Sequence, residues 1–179
     1  MKKQTYKKTN KKTESGRSMI EMVGVLAVMG LITAGAFVLI SSAMSSQRIS
    51  RVDDDVSAIV QGVRLLYNAN NNFNGLSDDA LTVLSFKDVK NPFGGEYHIL
   101  STDASTATQN QARFKVVVTG LGSANAKALQ ARKWPSGGSA KCATSYTAAN
   151  STITGEATTC STSSTVVSIE YGKDDAIAL

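Results

Sequence analysis

The sequence predicts an α+β fold in which a long N-terminal helix, half membrane anchor and half amphipathic, packs on a small antiparallel sheet with a disulfide-bounded C-terminal region. Three observations predict it. An uninterrupted apolar block fills residues 22–40, apolar residues recur at three-and-four spacing from Val52 to Tyr67, and two β-branched runs stand at 113–119 and 165–171. The chain therefore divides into a lysine-rich segment, 1–16, a long helix, 17–67, and a globular head, 68–179.

The apolar block carries no charge from Met22 to Ile40, and none lies between Glu21 and Arg48. About 20 apolar residues at roughly 1.5 Å rise each span the hydrocarbon core of a bilayer as a helix. Residues 22–40 meet that requirement. Six lysines and one acid precede it in residues 1–16, which accounts for the whole formal charge of +5. Positive flanks stay on the cytoplasmic side, so the C-terminal bulk is expected outside. The rest of the chain is electrically balanced and offers no bulk attraction to nucleic acid. A secretory signal places its apolar stretch before the cleavage site; here the small residue Gly16 comes before the block, so a cut there removes the lysines and keeps the anchor.

Beyond the membrane segment, Val52, Val56, Ile59, Val60, Val63, Leu66 and Tyr67 mark the inner face of a continuing helix. Unbroken from about Ser18 to Tyr67, it is roughly 75 Å long, and it ends at the asparagine-rich run 68–75. Ser77 is expected to head a short connecting helix over residues 77–84, with Asp78 and Asp79 in the first turn, where the helix dipole favours acids. Asn91-Pro-Phe-Gly-Gly95 reads as a turn, followed by a strand over 96–100. Residues 113–119 give the clearest strand. Gly120-Leu-Gly-Ser123 breaks it, and Ser123 is expected to cap a helix reaching about Lys133. Residues 136–164 are low-complexity Gly, Ser, Thr and Ala, long enough to need a covalent constraint, and residues 165–171 form a second strand.

Cys142 and Cys160 both follow the apolar block, and an even count outside the membrane favours one disulfide over a metal site. Closing that loop of about 19 residues is worth roughly 3 kcal/mol in the chain-entropy model. His98, the only histidine, rules out a His-rich metal or catalytic set and reads as a satisfied residue beside a strand start. No nucleophile–base pair, metal cluster or phosphate loop is visible, so neither enzyme activity nor a cofactor is expected. Ala27, Gly30 and Ala34 share one helical face, which lets helices approach closely in lipid. Glu21, a lone acid at the lip of the apolar block, is costly there and therefore a functional candidate.

The run Gly16-Arg-Ser-Met-Ile-Glu21, followed by the apolar block, resembles the processing site of type IV pilins and of type II secretion pseudopilins. The resemblance implies a cut after Gly16 by a prepilin peptidase, methylation of the new α-amine of Arg17, and Glu21 as fifth residue of the mature chain. It further implies that Glu21 pairs with the Arg17 amine of a neighbouring subunit in a homopolymer. The precursor would sit in the inner membrane, with its N-terminus cytoplasmic and its head periplasmic, until the pilus assembly machinery moves it from lipid into an extracellular filament. Arg17 itself departs from the apolar first residue usual in the family. Residues 91–96 and 118–129 resemble segments of the type IVb, bundle-forming branch, with Ala126 where those pilins carry a helix cysteine. Two alternatives stay open at this point: a pseudopilin, and an anchored domain that does not polymerise. Asp174 and Asp175 are similar to a pseudopilin calcium loop but are read as solvated acids, and Asn150-Ser-Thr152 matches a short glycosylation triplet.

Overall fold

The computed structural model describes residues 17–70, 72–102, 113–134 and 137–172, with side chains from Met19 onward. Gly16, Asp174 and Asp175 lie outside the described residues. Helix α1 spans Arg17–Leu66, close to the expected limits, and two compact units divide within it at Met44 and Ser45.

In the first unit every side chain from Met19 to Met44 is exposed. Its apolar stretch has a mean hydropathy of 2.5, and by length and composition alone it is able to cross a membrane. The hydroxyls inside it are satisfied within the helix: Thr33 Oγ1 donates to the Met29 carbonyl at 2.8 Å and Ser41 Oγ to that of Phe37 at 3.1 Å. That back-bonding lets Ser and Thr stand in an apolar segment without an unpaired donor.

In the second unit α1 places Val52, Val56, Ile59, Val60 and Val63 in the core, each 0–3% exposed. A short helix α2 (Asp79–Val83) is followed by β1 (Tyr97–Ser101), β2 (Arg113–Val118), α3 (Ser123–Gln130), β3 (Ser139–Ala143), β4 (Ser145–Thr147), β5 (Thr152–Thr154) and β6 (Val166–Gly172). Four strands form an antiparallel sheet in the order β1-β2-β6-β3, and β4 and β5 form a separate hairpin. One face of the sheet carries Phe114, Val116, Ile169 and Tyr171 into the core with the α1 valines, and Phe114 stacks between Phe73 at 4.7 Å and Tyr171 at 5.7 Å. On a smaller cluster Val117, Ala143 and Val166 meet Tyr146 and Ile153 of the hairpin. Both faces of β6 are thereby covered, which is why its residues are apolar almost without alternation.

Three expectations are corrected. Neither serine caps its helix: the cap position of α2 is Asp78 and that of α3 is Gly122, neither with a side-chain cap bond. Helix α3 ends at Gln130, short of Lys133, because the chain turns back and the Trp134 indole N–H donates to the Leu129 carbonyl at 3.2 Å, meeting one of the acceptors that a helix end leaves free. The low-complexity stretch holds β3, β4 and β5: β3 pairs with β6 in the register Cys142↔Val167, so the sheet supplies the order that its composition does not.

Candidate assembly surface and the disulfide-bounded head

Glu21 stands four residues, about one helical turn, after Arg17 and is exposed. Ala27, Gly30 and Ala34 follow at intervals that put them on one face of α1, also exposed. A Cβ added at Gly24, Gly30 or Gly35 would meet nothing within 4 Å. The structure thus brings the residues of α1 singled out from the sequence onto one uncovered apolar helix. Among the described residues of this unit, no side chain packs over them.

The head is organised by contacts that mostly escaped the sequence reading. Cys142 and Cys160 are joined as expected, with Cα atoms 5.2 Å apart, and Cys142 is completely buried. The loop they close is also tied by backbone: Cys142 N–H donates to the Ala157 carbonyl and Ala157 N–H to that of Cys142, at 2.9 and 2.7 Å. Beside this bridge Lys115 Nζ lies 2.9 Å from Glu156 Oε2, and the Ser168 hydroxyl donates to Glu156 Oε1 at 2.5 Å. Burial pushes the Glu156 carboxyl up, but the Ser168 hydroxyl and the Lys115 ammonium outweigh it and hold the group below its ordinary value. The β2 lysine, the β6 serine and the loop glutamate therefore clamp the disulfide loop to the sheet.

A second clamp lies at the sheet edge. Asp78 Oδ1 accepts the Ile99 N–H at 2.7 Å while Oδ2 accepts His98 Nδ1 at 2.8 Å, and the His98 ring packs on Tyr146 at 4.5 Å. Asp78, at the cap position of α2, is thus a structural bond to β1, and it occupies an outward N–H of an edge strand that would otherwise be open to pairing. His98 is satisfied, as expected, but half-buried against Asp78 and Tyr146 rather than at the open surface. Burial first, then the Asp78 charge, raises the Tyr146 phenol. The Tyr97 hydroxyl donates to Asp55 Oδ2 at 2.7 Å, and burial with that carboxylate holds its phenol well above the ordinary value.

The segments 91–96 and 118–129 meet each other. Asn91, buried, donates from Nδ2 to the Thr119 carbonyl at 2.8 Å and accepts the Phe93 and Gly95 N–H groups at 2.9 and 3.2 Å. A Cβ at Gly95 would stand 1.9 Å from the Thr119 carbonyl oxygen, and Gly120, at φ +72°, would bring its own within 2.6 Å of Gly95 Cα. Both glycines are required by that approach of two backbones. Ala126, completely buried on α3, has its carbonyl oxygen 3.8 Å from Cys142 Sγ, a packing contact.

No family model matches the chain. The major structural subunit of bundle-forming pilus from Escherichia coli O127:H6 is 32% identical over 108 residues, covering 55% of this chain and 56% of the relative. The toxin coregulated pilin of Vibrio cholerae is 28% identical over 145 residues, covering 71% of this chain and 64% of the relative. The chain spans 56% and 64% of the length of these two curated relatives. A long apolar N-terminal helix, a small antiparallel sheet and a C-terminal disulfide together make the type IV pilin fold. The chain has the type IV pilin fold, and in sequence it is similar to the bundle-forming pilus subunit and to the toxin coregulated pilin.

Proposed function

We propose that the chain is a structural subunit of a type IV pilus, cut after Gly16, held in the inner membrane by residues 22–40 and polymerised with copies of itself into an extracellular filament. One observation carries the reading: the first half of α1 is apolar on all sides and exposed throughout, with a single carboxylate, Glu21, near its start. Such a surface is stable only in lipid or against other helices. Removal of residues 1–16 leaves the Arg17 α-amine one turn from Glu21. In an apolar filament core an unpaired charge costs on the order of 3–5 kcal/mol. Pairing the amine with Glu21 of a neighbour removes both charges at once, and the face of Ala27, Gly30 and Ala34 lets the helices come close enough to do so.

Prepilin peptidase and the inner-membrane assembly machinery are the implied partners, and the head carries no catalytic role in this reading. Electron microscopy of sheared surface fractions, with mass spectrometry and N-terminal sequencing of the main component, tests it. Filaments built of this chain, beginning at a methylated Arg17, are expected. Unassembled protein in the cell envelope, with its N-terminus processed, would instead fit the pseudopilin reading, and surface protein retaining residues 1–16 would overturn the processing site.

A further inference from the structure

Of the ten asparagines in the chain only Asn74 is followed by glycine. The pair forms the centre of a β-turn from Phe73 to Leu76, closed by Leu76 N–H to the Phe73 carbonyl at 3.1 Å, with Gly75 at φ +78°. Phe73 and Leu76, the two anchors, are buried in the core, whereas Asn74 and Gly75 are both exposed. We propose that Asn74 is a site of self-modification, deamidated by the backbone nitrogen of Gly75.

The turn supplies what the reaction needs. The nucleophile is the Gly75 amide nitrogen, and among the described residues its N–H donates to no acceptor; the turn is closed by its neighbour. Gly75 carries no side chain of its own to hinder the Asn74 amide, and the space that a Cβ there would take is open to 4 Å. The peptide between the two residues is the central plane of the turn. It rotates between type II and type I geometry without moving the anchors, and glycine tolerates both.

Attack forms a bond from Gly75 N to Asn74 Cγ and breaks the Cγ–Nδ2 bond. The side-chain nitrogen leaves as ammonia, carrying the amide proton, and a five-membered succinimide remains. Solvent water then opens the ring. Cleavage of the new N–Cγ bond gives aspartate, while cleavage on the Cα carbonyl side gives isoaspartate, with the main chain rerouted through Cβ. Both products place a carboxylate in the open groove that Asn74 lines with Ser77 and Asp79. Isoaspartate also lengthens the turn between two core residues.

Asn150, followed by the small residue Ser151 with both members exposed, serves as a comparison. There the attacking group is engaged: Ser151 N–H donates to the Ala148 carbonyl at 3.3 Å. In a filament that is not resynthesised the product at Asn74 accumulates with age. That consequence rests on the proposed function, but the chemistry does not.

Incubation of the purified, oxidised full chain in mildly alkaline buffer, followed by peptide mass spectrometry, tests the proposal. The peptide containing Asn74 is expected to gain one mass unit faster than that containing Asn150, with isoaspartate detected by an isoaspartyl methyltransferase. The exposed substitution Asn74→Gln should abolish the signal, since its side chain would need a six-membered ring. An unmodified Asn74 over a period in which the reduced, denatured chain converts would overturn the proposal, as would faster reaction at Asn150.

Discussion

Residues 19–44 and 45–66 share one helix yet are built for different surroundings. In the first stretch apolar residues occupy every face and all are exposed; in the second they fall at three-and-four spacing, and the inner row is 0–3% exposed. The outer row of that second stretch is polar or charged through Gln47, Arg48, Arg51, Asp54 and Gln61. Helical propensity does not distinguish the two, since both are helix. The period of the apolar residues does: a stripe is matched by the chain's own sheet, and an all-round apolar surface needs lipid or further helices.

Moving one charge between the stretches gives the largest expected effect. Val56→Asp puts an unpaired carboxylate at a completely buried position facing the sheet, a cost of about 3–5 kcal/mol against the roughly 5–15 kcal/mol available to a domain. Collapse of the head's thermal transition and rapid proteolysis are expected. Leu31→Asp, at an exposed position, should leave that transition where it is and weaken membrane insertion instead, by about 2.5–3.5 kcal/mol at the centre of a spanning helix. Equal loss of head stability in both variants would erase the distinction.

Glu21→Val asks a narrower question of the first stretch. The substitution lengthens an apolar run already sufficient to span, so the membrane-bound pool should be normal. In the filament each Arg17 amine would lack its partner, at a cost of about 3–5 kcal/mol per subunit, and few or no filaments should reach the sheared fraction. Immunoblots of membrane and sheared fractions compare the two pools. Abundant filaments would make Glu21 a bystander.

The elements of the chain differ in how much of each the sequence discloses. The bounds of α1, its buried row, the strands at β1, β2 and β6, and the Cys142–Cys160 link follow from local periodicity and cysteine count. Strands β3, β4 and β5 do not, because their Ser, Thr and Ala carry little intrinsic preference and take their structure from pairing with β6 and with each other. The Asp78 and Glu156 clamps were invisible for another reason. Their partners lie 20 and 41 residues away at His98 and Lys115, and nothing local distinguishes these acids from solvated ones. Asp78→Asn shows what that costs: from the sequence it is a harmless change in a connector. In the structure it weakens the bond to His98 and removes the charge opposite it, so a loss of about 1 kcal/mol in head stability is expected by denaturant titration. An unchanged midpoint would return Asp78 to the role of a surface acid.

The smallest effect should come from pH and should be confined to the head. Glu156 is held below its ordinary value in the folded state, against the upward push of burial, by Ser168 and Lys115. A carboxyl that ionises more readily folded than unfolded binds fewer protons in the native state, so its contribution to stability is complete above the ordinary carboxylate range. It is lost as the pH falls through the folded value, where protonation breaks the ion pair with Lys115. The thermal midpoint of the wild-type head should therefore decline on acidification below that range. Glu156→Gln should start lower at neutral pH, because the Lys115 ammonium is left without its charge partner, and should then decline less steeply, so that the two curves converge in acid. The other carboxylates are common to both proteins, and the difference between the curves isolates this one. Curves that run parallel from neutral pH into acid would mean that the clamp contributes no proton-linked stability, and that the disulfide and the Cys142–Ala157 backbone pair hold the loop without it.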